Sequence, residues 1–225
     1  MKKIILVLFV FVSMGEIVSG VVGAEALHWI CKPMIMITLA VYYFRHDANT
    51  RSTSVALAIL FSFTGDIALM FESAHQLSFV IGLLTFLSAH IFYIMAYRQH
   101  QHKLVVDGLQ GIQKIRFAFP IILAGSGLVV ILYPVLGVLK LPVIVYALVL
   151  ALMVLNALFR YGRTTTASFW MVFGGAILFM VSDSILALNK FLMPVPQASV
   201  LIMSSYILAQ FLLIEGLCNH FKSSE

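Results

Sequence analysis

Residues 61–71, FSFTGDIALMF, place one aspartate, Asp66, inside an apolar run long enough to lie in a membrane. A second run of the same kind, GGAILFMVSDSILAL, occupies residues 174–188 and carries Asp183. A charged side chain at the centre of a bilayer costs roughly 2.5–3.5 kcal/mol on insertion scales, so such residues usually have a functional reason. The two aspartates are therefore the first candidates for functional residues of this chain.

The composition of the whole chain places these aspartates in an integral membrane protein. Of 225 residues, 62% are hydrophobic and only 10% are charged, whereas soluble domains have about 25% charged residues. The apolar excess covers the entire length, so we expect a single all-α membrane domain over residues 1–225. The net charge of +5 comes from basic residues between the apolar runs. That pattern is typical of membrane topology and argues against nucleic acid as a partner.

Eight apolar segments predict a polytopic bundle of eight transmembrane helices. Each has roughly the 20 residues that a helix needs to cross the bilayer core, and none alternates with the period of a membrane strand. The predicted helices lie near residues 4–22, 28–44, 55–71, 77–97, 117–137, 141–159, 167–187 and 199–218.

The basic residues between these segments indicate the orientation of the bundle. Eleven fall on one side and three on the other, so the positive-inside rule places both termini in the cytoplasm, as expected for a bacterial inner-membrane protein. The eleven basic residues are Lys2, Lys3, Arg45, Arg51, Arg98, Lys103, Lys114, Arg116, Arg160, Arg163 and Lys222, and the three are Lys32, Lys140 and Lys190.

The first segment, followed by GAEA, also resembles a cleavable signal peptide, and we expect it to be retained as a helix.

Polar residues inside the segments fall at three depths when the rise is taken as about 1.5 Å per residue. His90 and Asp183 are then expected to differ in depth by about 15 Å. The outer half is predicted to hold Glu16, Lys32, Asp66, Asp183 and Tyr206, the middle Gln210, and the deeper half His90, Asn156 and Glu215.

The outer group contains three carboxyl groups and one ammonium group. In a low dielectric these carboxyl groups cannot all be ionised, so we expect one carboxylic acid beside one carboxylate, the arrangement used in general acid–base catalysis. Structural alternatives remain open for each residue. The aspartates could form buried hydrogen bonds, Glu16 could serve helix packing, and Lys32 could extend to the interface. His90 could belong to a packing stripe made of Phe79, Gly82, Phe86, His90 and Tyr93.

The two halves of the chain share weak similarities that favour a four-plus-four internal repeat. Segments two and six both begin with proline, in KPMIMI and LPVIVY, and segments three and seven carry the two aspartates. Halves of four helices each would be related by an axis along the membrane normal. Such an axis would bring Asp66 and Asp183 towards each other.

The order and spacing of these motifs resemble the YhhN/TMEM86 family of membrane proteins. The resemblance covers about residues 31–215 and rests on Lys32-Pro33, GDIAL, the Gly82 to Tyr93 stripe, the string GGAILFMVSDSILAL and Tyr206 with Gln210. It implies eight helices and no organic cofactor, and we assign no metal ligands. It also implies hydrolysis of the vinyl ether bond of lysoplasmalogens, which yields a fatty aldehyde and glycerophosphoethanolamine or glycerophosphocholine. The catalytic residues would be Asp66 and Asp183.

The residue roles form a hypothesis built on acid-sensitive vinyl ether chemistry. One aspartate would act as the acid, and the other would stabilise the cation and activate water, without an assignment of which is which. Lys32 would bind the substrate phosphate or hold one aspartate ionised. Tyr206 and Gln210 would orient the glycerol hydroxyl or the water, and His90 and Tyr93 would also belong to the substrate site. The partners would be a lysophospholipid substrate and membrane lipids.

Three other functions fit some of the same residues. A metal-dependent lysolipid hydrolase would use His90 and the aspartates as ligands. A proton-coupled transporter would also need buried carboxyl groups and an internal repeat. A passive structural or lipid-binding protein would tolerate asparagine at both aspartates.

Overall fold

The computed structural model describes residues 2–46, 51–72, 76–102 and 108–220, and in these ranges it contains eight α-helices and no strand. All eight helices are long and apolar enough to cross a membrane. The predicted all-α bundle is therefore confirmed, and the chain is a multi-pass membrane protein. The helices are α1 (Lys2–Val22), α2 (Glu25–Phe44), α3 (Thr53–Met70), α4 (Gln76–Gln99), α5 (Ile112–Leu132), α6 (Lys140–Leu158), α7 (Thr166–Phe191) and α8 (Ala198–Cys218).

Three predicted boundaries were wrong by a helical turn or more. The fifth helix begins at Ile112 rather than near residue 117. It ends at Leu132 rather than near residue 137, because Pro134 has no N–H to continue the backbone hydrogen bonds. The seventh continues to Phe191 rather than ending near residue 187. Of the basic residues used to predict orientation, Lys103 and Lys222 lie outside the described residues.

The helix pairs with the most extensive contacts are α7 with α8 and α3 with α4, which are corresponding pairs in a four-plus-four repeat. Glycines allow this approach in both halves. A Cβ at Gly216 of α8 would lie 2.8 Å from Cβ of Met171 on α7. A Cβ at Gly65 of α3 would lie 2.7 Å from the ring of Phe86 on α4. Small residues at these contacts are how membrane helices gain close van der Waals packing.

Arg160, counted above as a loop residue, is completely buried beyond the end of α6. Its Nη2 donates hydrogen bonds to the carbonyl oxygen of His100, at 3.1 Å, and to Oγ of Ser168, at 2.9 Å. Burial lowers the pKa of Arg160 to about 10, so the guanidinium remains charged at neutral pH. Burial, followed by the charge of Arg160, lowers the pKa of His220 to about 4. Arg160 thus joins the segment after α4 to the start of α7.

Gly216→Ala is expected to destabilise the bundle, since the new methyl group would overlap atoms that cannot rotate away. Overpacking of this kind typically costs about 1–3 kcal/mol. The measurement is the thermal unfolding midpoint in detergent, which should fall.

The matched control is Gly174→Ala in α7, where a Cβ would meet no atom within 4 Å. Alanine favours a helix over glycine by about 1 kcal/mol, so this variant should unfold at the same temperature or slightly higher. Equal midpoints for the two variants would contradict the close α7–α8 contact.

Candidate active site

A polar cavity of about 210 Å³ lies between α2, α3, α7 and α8. Four of the seven predicted site residues line it, namely Lys32, Asp66, Asp183 and Tyr206. It therefore brings the two aspartates together, as the sequence predicted. The other lining residues are His28, Leu69, Glu72, Phe86, Ser182, Leu186, Ser199, Ile202 and Met203.

Asp66 is buried in this cavity, with 3% of its surface exposed, and it is the end of a directed hydrogen-bond chain. Its Oδ2 accepts a hydrogen bond of 2.7 Å from the hydroxyl of Tyr206. The Tyr206 hydroxyl in turn accepts a hydrogen bond of 3.2 Å from Nε2 of Gln210. Oε1 of Gln210 accepts a hydrogen bond of 2.5 Å from the hydroxyl of Tyr93. Each donor points towards Asp66, so Tyr93 and Gln210 orient Tyr206 without lining the cavity themselves.

Asp183 has a separate set of donors. Its Oδ2 accepts a hydrogen bond of 2.5 Å from the hydroxyl of Tyr146 on α6. Since that hydroxyl proton goes to Asp183, the Tyr146 oxygen is free to accept from Nε2 of His90, which lies 3.0 Å away. His90 Nε2 is also 3.4 Å from the Asp183 oxygen. Tyr146 was missed at the sequence level, where it is only the last letter of the apolar motif LPVIVY.

The predicted depth difference of about 15 Å between His90 and Asp183 was wrong. The ring of Phe191 at the end of α7 packs against the ring of Phe79, with centroids 5.5 Å apart. His90 lies 11 residues after Phe79 on α4, and Asp183 lies eight residues before Phe191 on α7. Both are therefore displaced in the same direction from the level of the two phenylalanine rings. The rise then gives a difference of only about 4.5 Å, which the two side chains span.

The contacts of the two aspartates follow the predicted repeat. Asp66 of α3 contacts α8 through Tyr206, and Asp183 of α7 contacts α4 through His90. His90 follows Asp66 by 24 residues, and Tyr206 follows Asp183 by 23 residues, so the two partners occupy nearly equivalent positions. Each aspartate thus contacts the last helix of the other half, an exchange that supports the predicted repeat.

Aromatic packing holds the two hydrogen-bond systems at fixed positions. The ring of Phe179, fully buried on α7, lies 4.7 Å from that of His90 and 5.5 Å from that of Tyr206. Phe86 packs against Tyr206 at 5.9 Å. These edge-to-face contacts fix both rings that determine the orientation of the aspartates.

Lys32 is the positively charged residue that faces the two aspartates in the cavity. Lys32 interacts electrostatically with Asp66 across the cavity, and Asp66 and Asp183 repel each other. Among the described residues Lys32 forms no close ion pair, in contrast to Lys190, whose Nζ lies 3.0 Å from Oε1 of Glu72. Its ammonium group is therefore available to an anionic ligand in the cavity.

A smaller apolar cavity of about 50 Å³ adjoins the polar one and lies between α4, α5, α6 and α7. The two cavities share Leu69, Phe86, Asp183 and Leu186. Of the two aspartates, only Asp183 lines both. The remaining wall is almost entirely hydrocarbon, including Phe79, Leu83, Leu128, Leu132, Leu150 and Phe191.

The alternative of a metal site finds no ligand set in the described ranges, where no three histidine, cysteine or acidic side chains are grouped closely enough to hold an ion. His90 instead uses its Nε2 for the Tyr146 and Asp183 contacts. The predicted lack of a metal or organic cofactor stays a prediction.

Comparison with known proteins agrees with this arrangement of residues. The sequence model of the YhhN family matches residues 27–217. The chain belongs to the YhhN family. The family resemblance predicted from the motifs is therefore confirmed over nearly the range expected.

Several curated proteins are similar to this chain. It is 33% identical to human lysoplasmalogenase TMEM86A over 173 residues, which are 73% of this chain and 65% of the human protein. It is 31% identical to pig lysoplasmalogenase TMEM86B, over 81% of this chain and 71% of that one. A lysoplasmalogenase of Mycobacterium bovis is 30% identical, over 88% and 73% of the respective chains. The match thus spans slightly less than two-thirds of human TMEM86A. No solved structure matches the chain at a significant level.

Tyr206→Phe is expected to lower the stability of this YhhN protein. The change removes the donor to Asp66 and the acceptor for Gln210, both buried, and leaving such groups unpaired costs about 1–3 kcal/mol. Thermal unfolding in detergent should show a lower midpoint.

The control is Tyr133→Phe, at a tyrosine with 49% exposure whose hydroxyl bonds to no described residue. This variant should unfold like the unmodified protein. A Tyr206→Phe midpoint equal to that of the control would contradict the hydrogen-bond chain to Asp66.

Proposed function

We propose that this protein hydrolyses the vinyl ether bond of lysoplasmalogens, giving a fatty aldehyde and glycerophosphoethanolamine or glycerophosphocholine. The observation that carries the proposal is the position of Asp183, at the boundary between a polar cavity that also contains Asp66 and an apolar cavity. The lysoplasmalogenase names of the human, pig and mycobacterial relatives support the same substrate class.

The two cavities match the two ends of a lysoplasmalogen. Such a lipid has one hydrocarbon chain, joined by the vinyl ether to a glycerol that carries the phosphate head group. The part of the hydrocarbon chain next to the vinyl ether would occupy the apolar cavity, and the glycerol and phosphate would occupy the polar cavity beside Lys32. The vinyl ether then lies where the cavities meet, next to Asp183.

The position of each aspartate suggests which one is the acid. A vinyl ether is protonated at its β-carbon, on the hydrocarbon side of the bond, and Asp183 is the aspartate that borders the apolar cavity. Because Tyr146 occupies Oδ2 of Asp183, Oδ1 is the oxygen that would carry the transferred proton. After transfer, the Asp183 carboxylate would stabilise the oxocarbenium ion formed at the oxygen-bonded carbon.

Asp66 would then act as the base for water. Tyr206 occupies its Oδ2, which leaves Oδ1 to accept a proton as water adds to the oxocarbenium carbon. The hemiacetal collapses when Asp66 returns this proton to the glycerol oxygen and Asp183 takes the proton of the new hydroxyl. The carbon–oxygen bond to glycerol breaks, the aldehyde forms, and both aspartates regain their starting protonation states.

Of the remaining predicted site residues, some would contact the substrate directly and others would act through a neighbouring side chain. Lys32 would bind the phosphate directly. Tyr206 would orient Asp66, supported by Gln210 and Tyr93, and His90 would orient Asp183 through Tyr146. We therefore propose that Gln210, Tyr93 and His90 are positioning residues, which refines the substrate-binding role predicted from the sequence.

The membrane orientation belongs to the same proposal. The excess of basic residues at one end of the bundle favours a cytoplasmic location for both termini. The cavity lies towards the ends of α3 and α7 and the start of α2, so it would open on the opposite, outer side of a bacterial inner membrane.

Asp66→Asn and Asp183→Asn are each expected to lower aldehyde release from lysoplasmenylethanolamine by at least about a hundredfold, since each removes a general acid–base group. Purified protein would be assayed with the vinyl-ether lipid and with its ester analogue in parallel. The unmodified protein should cleave only the vinyl ether, because the ester has no alkene carbon to protonate. Near-full turnover by either variant would overturn the assignment.

Deuterium exchange separates the two roles. In heavy water, Asp66→Asn should still protonate the alkene through Asp183 and return to substrate, so recovered lipid should carry deuterium at the β-carbon. Asp183→Asn should give no exchange. Mass spectrometry of the recovered lipid measures both, and the reverse pattern would exchange the roles. Accumulation of intact lipid in proteoliposomes without cleavage would instead support a carrier.

A further inference from the structure

A buried acidic residue in α1 forms a pair that the reaction above does not use. Glu16 is 1% exposed, and its Oε1 lies 2.8 Å from Nδ1 of His28 on α2. Its Oε2 is buried and has no hydrogen-bond partner among the described residues. Burying a carboxylate is expensive unless it is paired. The interaction with His28 is therefore the evident reason for an acidic residue in an otherwise apolar helix.

His28 itself reaches the candidate active site. It lines the polar cavity together with Lys32, and its side chain is 32% exposed, whereas that of Glu16 is completely buried. Residues 28 and 32 are four apart on α2, so their side chains lie on the same face of the helix. Nδ1 is directed to Glu16, which leaves Nε2 as the ring nitrogen available to a ligand.

We propose that His28, oriented by Glu16, forms with Lys32 the site that binds the phosphate of the lysophospholipid substrate. With a proton on each ring nitrogen, the imidazole would donate Nδ1–H to Glu16 and Nε2–H to a phosphate oxygen. Lys32 supplies the second positive charge from the next turn of α2. The inference rests on the proposed function for the identity of the lipid, but it concerns only head-group binding.

The charges around the cavity favour an anion at this position. The carboxylate of Glu72, which also lines the cavity, is already paired with Lys190 at 3.0 Å. Lys32 forms no such close pair with a described carboxylate. A phosphate bound between His28 and Lys32 would neutralise the positive charge of Lys32 and hold the glycerol near Asp66.

Binding of two uncleavable ligands tests this site independently of turnover. One is an alkyl-ether lysophosphatidylethanolamine, which lacks the vinyl group, and the other is the matching alkylglycerol, which lacks phosphate. For His28→Asn and Glu16→Gln, titration calorimetry should show the Kd of the phosphate ligand rising about tenfold or more, as expected for loss of a charge-assisted hydrogen bond. The Kd of alkylglycerol should stay within about twofold, on the scale of ordinary context effects. His28→Lys should restore most of the phosphate affinity.

The matched control is His102→Asn, at an exposed histidine that contacts His220 beyond the ends of α4 and α8. It should bind both ligands normally. Equal weakening of both ligands by His28→Asn, or unchanged phosphate binding by either variant, would overturn the proposal.

The kinetic readout follows if the vinyl ether is cleaved. Glu16→Gln should raise KM with kcat nearly unchanged, since it alters binding and leaves both aspartates intact. A fall in kcat alone would contradict a phosphate-positioning role. A protein that binds the phosphate ligand through His28 but cleaves no vinyl ether would contradict the proposed function and leave this site supported.

Discussion

The constraint on which this structure depends is the cost of holding carboxyl groups inside a membrane bundle. Each aspartate is stabilised by a tyrosine hydroxyl, at 2.7 Å for Asp66 and 2.5 Å for Asp183, and each tyrosine is in turn held by a second polar side chain. These donors come from helices α6 and α8, while the aspartates belong to α3 and α7. The helices must therefore assemble in one arrangement before either carboxyl group is satisfied. Close glycine contacts between α3 and α4 and between α7 and α8 fix that arrangement.

Much of this could be read from the sequence because a membrane imposes strong and simple rules. Apolar length alone predicts all eight helices, and the cost of buried charge singles out Asp66, Asp183, Lys32 and Glu16. The sequence could not provide the axial position of one helix relative to its neighbours. Counting residues from predicted ends separated His90 from Asp183, whereas the packing of Phe79 on Phe191 brings them within 3.4 Å. Tyr146 was missed for a related reason, since a tyrosine in an apolar helix carries no signal until its partner is known.

His28 illustrates a second limit of sequence reasoning. It precedes the motif that begins at Lys32, and its neighbours give it no special pattern. Its position becomes informative only through Glu16, which lies on another helix and whose carboxyl group forms no other hydrogen bond with a described residue. The cost of a buried charge already singles out Glu16 in the sequence, but its partner His28 is identified only once the contact between α1 and α2 is known.

The junction of the two cavities at Asp183 has a consequence for what happens after bond cleavage. The fragment on the apolar side is a hydrocarbon aldehyde, which dissolves in lipid, and the fragment on the polar side is a phosphorylated glycerol, which dissolves in water. Under the proposed reaction the two products depart into different phases. Because the two products are then separated, their partition opposes the reverse reaction.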